Sequence, residues 1–452
     1  MRVLLIAYEF PPSPSPQSLR WAYLVRELHA CGVEVHVLTA ESGWPSTWVG
    51  LPSGIVIHRT PHWSFPSLVR AVRRRYRHRL RREPMEREQI FVESIGAVAV
   101  ATAADALAAG DISVESAASK LNWKGRLVEQ LAKLENAWTF PDERGQWEPL
   151  ARKRLRELLR TLAPDVVVSS HEPATTLRLG RIAKEKGFPW VADLGDPVLS
   201  FYTPARWRRK SAKLERWTCR HADHLTVTTE AAKLLLVDRH AVREARFSVL
   251  TQGYDASVIP GAVPDVKFDA ERLELLYTGS FYTFREAHAI VEAVLACPDV
   301  RLTIATSRTP EWLPPLQQAH PERLRLLGFL PHAQCLTLQQ SADVLVNIAN
   351  DDPVHVPGKV FEYLGAGRPI LHLGNVDEDV AAQLIRTHSR GVVSGNDAVR
   401  IGETLAALVA IKRNAAWGRH FDLEHAGVEI YQWQHLGRRL LAILESVRGN
   451  GG

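Results

Sequence analysis

The sequence predicts an α/β protein built from two doubly wound, parallel-sheet domains, and three observations carry that reading. Short runs of β-branched and other apolar residues alternate with helix-length segments along the 452-residue chain, the rhythm of strands joined by crossover helices. The runs are apolar almost throughout, as in RVLLIA and DVVVSS, which suits strands covered on both faces. The alternation stops at Ile259-Pro260-Gly261-Ala262-Val263-Pro264, an aperiodic stretch that separates one strand series from the next.

In order along the chain, strands are expected at 3–7, 33–39, 55–59, 165–170, 190–193, 224–228 and 247–250. The first ends before Pro11-Pro12, which can neither extend a strand nor donate to a ladder. Between Pro66 and Pro149 the strand pattern is lost and the sequence is basic, then alanine-rich. We read 66–149 as a helical insertion in the first domain. After the linker, strands are expected at 273–277, 301–305, 324–327, 344–347 and 369–373. The last stretch, 428–447, carries apolar residues at helical spacing around Trp433 and Leu440. The domains therefore run 1–260 and 261–428, with a terminal helix in 429–452.

Composition narrows the function. Hydrophobic residues make up 46% and charged residues 23%, which is globular and not disordered. The four cysteines, Cys31, Cys219, Cys297 and Cys335, lie far apart without a CxxC pair, against a disulfide scaffold or a cysteine-built zinc site. The net charge of +6 is concentrated. Residues 67–83 hold eight arginines against one glutamate, and 206–216 hold six basic residues against Glu215, leaving the remainder at about −6. Two local patches on a mildly acidic body suggest a surface for an anionic partner, not a general nucleic-acid binder. The opening apolar run is only a strand long and no later helix is apolar enough to span a bilayer, so the expectation is a chain either free in the cytoplasm or peripheral on the inner face of a membrane.

No GxGxxG follows a strand, and GxxxxGK[ST], HExxH and GxSxG are missing, which argues against nicotinamide or flavin dehydrogenases, P-loop NTPases, zincins and α/β-hydrolases. His221 and His224 stand three apart without a clear third ligand, so a solvated helix end is the better reading. The most informative segment is VPGKVFEYLGAGRPIL, residues 356–371. Pro357 and Gly358 suit the entry to a helix, and Gly365 and Gly367 its exit before a buried strand. Free N–H groups at the helix start would bind a phosphate or diphosphate. Glu362, one turn inside, can accept two hydrogen bonds from vicinal hydroxyls such as those of a ribose. The competing reading is a surface ion pair between Lys359 and Glu362.

This segment resembles the nucleotide-sugar motif of family-4 retaining glycosyltransferases. RLRLLGFLPHAQCLTLQQSADVLVNIA before it resembles that family's approach to the motif, and MRVLLIAYEFPP with GVEVHVLTA resembles its first βαβ unit. PDVVVSSHEPATT, WVADLGDP, ERWTCRHADHLTVTTEAAKLLL and FSVLTQGYD follow in the family's order. The resemblance spans both domains and omits mainly 66–149. It implies the GT-B fold, two Rossmann-like domains facing a cleft, with the 429–452 helix crossing back to the first domain.

The resemblance also implies roles. Glu362 matches the second glutamate of the E-x7-E motif, which holds the nucleotide ribose. The first would fall at Val354, so that half is absent, and Asp351, Asp352 and His355 are the nearest groups for contacts to the donor sugar. Among these, Asp352 and His355 are the candidates. The diphosphate-clamping loop corresponds to Thr278-Gly279-Ser280, where Ser280 occupies the usual arginine position and Arg285 is the nearby cation. Lys359 and Gly358 complete the expected donor contacts. His171, in Ser169-Ser170-His171-Glu172-Pro173, matches the HEP-type histidine beside the transferred sugar and would steady charge at the anomeric carbon. A satisfied buried histidine is the alternative. On the acceptor side the candidates are Gln17 and Ser18, in a glycine-free first loop, and Asp193 and Asp196, which also read as capping residues.

The resulting expectation is a retaining, hexosyl-type glycosyltransferase. It would use a UDP- or GDP-sugar, with no obligatory metal or other cofactor, and a glycan or lipid-linked acceptor, in glycan, polysaccharide or glycolipid biosynthesis. A sugar-nucleotide epimerase of the same architecture and a degenerate binding subunit are the alternatives. In 67–83, Leu68, Val72, Tyr76 and Leu80 form an apolar stripe among arginines, an amphipathic helix suited to an anionic membrane surface. Trp207, Trp217 and Tyr76 offer only a weak nucleic-acid pattern, and no nucleic-acid partner is expected.

Overall fold

A computed structural model describes residues 1–43, 50–62, 140–142, 144–200, 203–256, 266–281, 287–349, 356–374 and 379–449. The basic segment 67–83, most of the expected insertion and the linker at 259–264 lie outside the described residues.

The described residues form two separate sheets. The first has seven strands in the order β3-β2-β1-β4-β5-β6-β7. They are β1 (Arg2–Ala7), β2 (Glu34–Ala40), β3 (Val56–Thr60), β4 (Val166–His171), β5 (Trp190–Leu194), β6 (His224–Val227) and β7 (Phe247–Val249). Its helices are α1 (Pro16–Ala30), α2 (Glu148–Leu162), α3 (Thr175–Glu185), α4 (Arg208–His221) and α5 (Glu230–His240). β1 sits between β2 and β4 in parallel register, and Val3, Leu4, Leu5 and Ile6 are all at most 1% exposed. A continuous apolar run is what a strand covered on both faces requires. On one face, Leu4, Ile6 and Val167 pack against Leu155, Leu158 and Leu159 of α2 and Leu179 of α3.

The second sheet has six strands in the order β10-β9-β8-β11-β12-β13. They are β8 (Leu273–Thr278), β9 (Val300–Ala305), β10 (Leu324–Gly328), β11 (Val344–Ile348), β12 (Ile370–Leu373) and β13 (Gly391–Ser394). Around it lie α6 (His288–Ala296), α7 (Leu313–Ala319), α8 (His332–Ser341), α9 (Gly358–Gly365), α10 (Val380–Thr387) and α11 (Ala398–Arg413). Then come α12 (Trp417–His420) and α13 (Trp433–Gly449). Alternation decides which layer each strand residue enters. Leu275 and Tyr277 face the core with Ile290 and Leu405, and Leu276 faces Leu338, Val360 and Leu364. Each such leucine contributes about 1.5–3 kcal/mol by burial.

All the strands expected from sequence are present, with ends moved by a residue or two. β13 was not expected, because four residues with a glycine and a serine give little strand signal. Its pairing depends on that glycine. A Cβ on Gly391 would lie 2.0 Å from the Ile370 carbonyl oxygen, so any side chain would push β13 off β12. The chain divides into two compact units, one of Met1–Trp21, Gly32–Leu225 and Val447–Gly452, the other of Ala22–Cys31 and Thr226–Ser446. The division falls within α1, β6 and α13.

Candidate functional site

In the second unit the candidate groups gather where β8 ends and α9 begins. Gly279 follows β8 with φ +126°, a conformation that side-chain-bearing residues rarely adopt. Its α-carbon faces Lys359: a Cβ there would be 3.8 Å from Lys359 Nζ. The Lys359 ammonium lies 3.9 Å from the Tyr277 ring centroid and 3.4 Å from the Thr278 carbonyl oxygen. Ser280 Oγ is 3.2 Å from Ser307 Oγ. At the start of α9, Pro357 supplies no side-chain cap, and the Val360 N–H bonds to the Pro357 carbonyl at 2.9 Å. Gln252 packs against Gly358.

Glu362 does not turn to Lys359. Its Oε1 is 2.8 Å from His332 Nε2 and its Oε2 is 3.4 Å from Gln339 Nε2. Burial pushes this carboxyl up, but the paired His332, the two hydrogen bonds and the Lys359 charge outweigh that, and it lies below the ordinary value. His332 responds in the opposite sense. Burial opposes its charge, yet Glu362, and to a smaller degree Asp255, raise it above the usual imidazole range. Gln339 Nε2 also reaches Thr278 Oγ1 at 3.2 Å, and the Tyr363 hydroxyl sits 3.0 Å from that same oxygen. The carboxylate is thus held by α8 and tied to the end of β8, with 21% of its side chain still exposed.

Sequence reasoning passed over His332, Gln339 and Tyr363. The signal was there: His332 and Gln339 are seven apart, which places both on one face of α8.

In the first unit the groups lie at the carboxyl ends of β1, β4 and β5. His171 ends β4 and is 4% exposed. Gln17, at the start of α1, donates through Nε2 to Ser170 Oγ at 2.5 Å and to the His171 carbonyl at 2.9 Å. The Gly195 N–H reaches the same carbonyl at 3.3 Å. The main chain of His171 is therefore pinned from both sides, while neither ring nitrogen meets a partner at standard hydrogen-bond geometry. Burial lowers its pKa below the ordinary value, opposed by the Asp196, Asp142 and Glu215 charges and by the Pro173 backbone. Asp142 accepts from the Thr175 backbone N–H and hydroxyl, at 2.8 and 2.9 Å, and so fixes the start of α3.

The remaining candidates separate. Asp196 is half-buried after β5 and Ser18 is fully buried, with its hydroxyl unpartnered. Asp193 is closed off from any ligand. Its side chain is 0% exposed and ion-paired at 2.7 Å with the equally buried Arg20, because the alternation of β5 turns it into the layer beneath α1. Arg285, Asp351, Asp352 and His355 lie outside the described residues. His221 is a stacked helix end, its ring 4.4 Å from that of Trp217. Among the described residues no group of three or more His, Cys, Asp or Glu side chains is placed to hold a metal, and no helix is long and apolar enough to cross a membrane.

Residues 96–253 match the family described as Glycosyl transferase 4-like domain. Among curated proteins no sequence matches. Solved structures match over nearly the whole chain. A glycosyltransferase from Rickettsia africae has 12% identity and a TM-score of 0.57, covering 99% of this chain and 98% of its own. An E. coli structure of trehalose-6-phosphate bound with UDP-2-fluoro glucose has 13% identity and a TM-score of 0.55, covering 98% and 99%. The UDP-GlcNAc 2-epimerase from Neisseria meningitidis, bound to UDP-GlcNAc, has 12% identity and a TM-score of 0.54, covering 99% and 100%. At these identities the likeness is one of fold, and that fold is GT-B.

Proposed function

From a chain that carries a glycosyl transferase 4-like domain within a GT-B fold, we propose a retaining, hexosyl-type glycosyltransferase. It moves a sugar from a nucleotide-diphosphate donor, UDP- or GDP-linked, to a hydroxyl of a glycan or lipid-linked acceptor, in glycan, polysaccharide or glycolipid biosynthesis. The domains run 1–260 and 261–428, with 429–452 as the terminal helix. The observation that carries the reading is the placing of Glu362, Lys359 and Gly279 together where β8 ends and α9 begins. A carboxylate has lone pairs beyond those given to His332 and Gln339, and two ribose hydroxyls would use them. The diphosphate would meet the α9 N–H groups and the Lys359 ammonium. Arg285, Asp352 and His355 remain candidates for diphosphate and sugar.

In this reading the chemistry is electrostatic. As the anomeric bond breaks, negative charge grows on the leaving diphosphate, and fixed N–H groups and the lysine stabilise it without an obligatory metal. His171, held neutral, sits beside the reacting sugar on a main chain that Gln17 and Gly195 immobilise. Gln17, Ser18 and Asp196 serve the acceptor side, and Asp193 acts through Arg20 by positioning β5. The basic segment 67–83 brings the chain to an anionic membrane surface.

Melting-temperature shifts across UDP, GDP and their sugars test the donor site. A shift for one nucleotide, lost in Glu362→Ala and in Lys359→Ala, is expected. No shift with any of them would overturn the reading. Product analysis then separates transfer from epimerisation, since an isomerised sugar nucleotide formed without acceptor would replace it.

A further inference from the structure

α3 packs between α2 and α4, and their outer turns enclose a groove of about 530 Å³ in the first unit. Arg152 and Arg156 of α2, Arg178 and Arg181 of α3, and Lys210 and Lys213 of α4 line it. Two lining residues, Glu148 and Glu185, are acidic, and both are already engaged. Arg152 and Arg178 each pair with Glu148, and Arg181 pairs with Glu185 at 2.7 Å. Arg178 also donates to the Phe140 carbonyl at 3.0 Å, and the Arg181 guanidinium lies 4.5 Å from the Trp217 ring centroid. These contacts hold three arginines in place. Arg156, Lys210 and Lys213 pair with no carboxylate among the described residues, and all three are exposed.

Six cations gathered around a concave surface repel one another, and an anion relieves that repulsion. The aromatic walls of Trp217 and Phe140 lower the local dielectric and concentrate the positive potential inside the groove. Its shape selects the kind of anion. The groove is enclosed by three helices, whereas a bilayer presents a broad flat face. A nucleic acid would need an open ring for base stacking, but Trp217 is covered by Arg181 and by His221. What fits is a compact, multiply charged group, for which arginine forks and lysine ammonium groups are the usual ligands.

We propose that this groove is a binding site for a phosphate monoester or diphosphate, distinct from the donor contacts at Lys359 and Glu362. It narrows the anionic partner suggested by the basic cluster at 206–216: α4 contributes two lysines of the site, and α2 and α3 supply its arginines.

Inorganic pyrophosphate, titrated calorimetrically at low ionic strength, is the first probe, with Lys359→Ala as the background that silences the donor site. Binding should persist in that background and weaken about tenfold or more when Arg156→Glu and Lys213→Glu are added. Arg209→Glu, exposed on the same helix but not lining the groove, controls for net charge and should change binding less than twofold. The neutral pair Arg156→Gln and Lys213→Gln repeats the test without charge reversal, and an unchanged melting temperature shows that each variant is folded. Phosphatidylcholine vesicles doped with phosphatidic acid are the second probe. Groove-dependent binding of pyrophosphate alone supports a soluble ligand, and groove-dependent co-sedimentation with the vesicles supports a lipid-borne one. If the groove variants bind both probes as the Arg209→Glu control does, the proposal is wrong.

Discussion

Glu362 Oε1 and His332 Nε2 lie 2.8 Å apart, joining the helix that should hold the donor ribose to the helix before it. The carboxyl lies below its ordinary pKa and the imidazole above its own. For Glu362, the stabilisation is present above the usual carboxylate range and is lost as pH falls through its lowered value. For His332, it is full below the usual imidazole range and lost as pH rises through its raised value. The pair is therefore strongest between the two. His332→Ala should cost about 1–3 kcal/mol in that window, measured by urea denaturation from mildly acid to alkaline pH. With the counter-charge gone, burial dominates Glu362, and nucleotide affinity should weaken at acid pH more in the variant than in the parent.

Gly279→Ala tests the turn that brings β8 to Lys359. At φ +126° the cost is in the backbone, since the added methyl would only touch Lys359 at 3.8 Å. A loss of about 1–3 kcal/mol is expected, together with weaker nucleotide binding as the loop shifts. A Gly279→Ala protein with parental stability and parental nucleotide affinity would show that the turn has no part in the site.

The strands were legible because continuous apolar runs and short strand lengths belong to local sequence. Glu362, Lys359 and His171 could be singled out as candidates because His171 falls at a strand end, Lys359 at a helix start and Glu362 one turn further in. The pairing of Glu362 was not, because His332 is thirty positions away and only the fold brings α8 to α9. Asp193 misled for a related reason. Its place at the end of β5 matched a ligand-facing aspartate, but the side on which a strand residue emerges depends on register, and the partner Arg20 lies on α1. The groove between α2, α3 and α4 was half visible, as a run of charge on one helix.

His171 is held by its main chain and left free at its ring, an arrangement suited to a reacting group. His171→Ala should lower kcat about 10²-fold or more with a small effect on donor KM. Its pH signature has a definite sign. Burial depresses the folded-state pKa, so the unfolded chain binds more protons just below the ordinary imidazole value, and stability falls as pH drops through that range. His171→Gln should flatten this slope. An unchanged slope would mean that the imidazole is not held neutral by the fold.

Arg20 and Asp193 are both fully buried and 2.7 Å apart. Removing Asp193 takes a close carboxylate away from a guanidinium buried in a dry interior, so Asp193→Ala should destabilise by about 3–5 kcal/mol. Replacing both with apolar residues of similar size, Arg20→Met with Asp193→Leu, should recover most of that loss, because the buried charge is removed along with its carboxylate. The double variant also separates position from contact. If Asp193 acts only by holding β5, and with it the Gly195 N–H on the His171 carbonyl, turnover should return along with stability. If denaturation shows stability restored while turnover stays lost, Asp193 serves the reaction itself and its burial must open during the catalytic cycle.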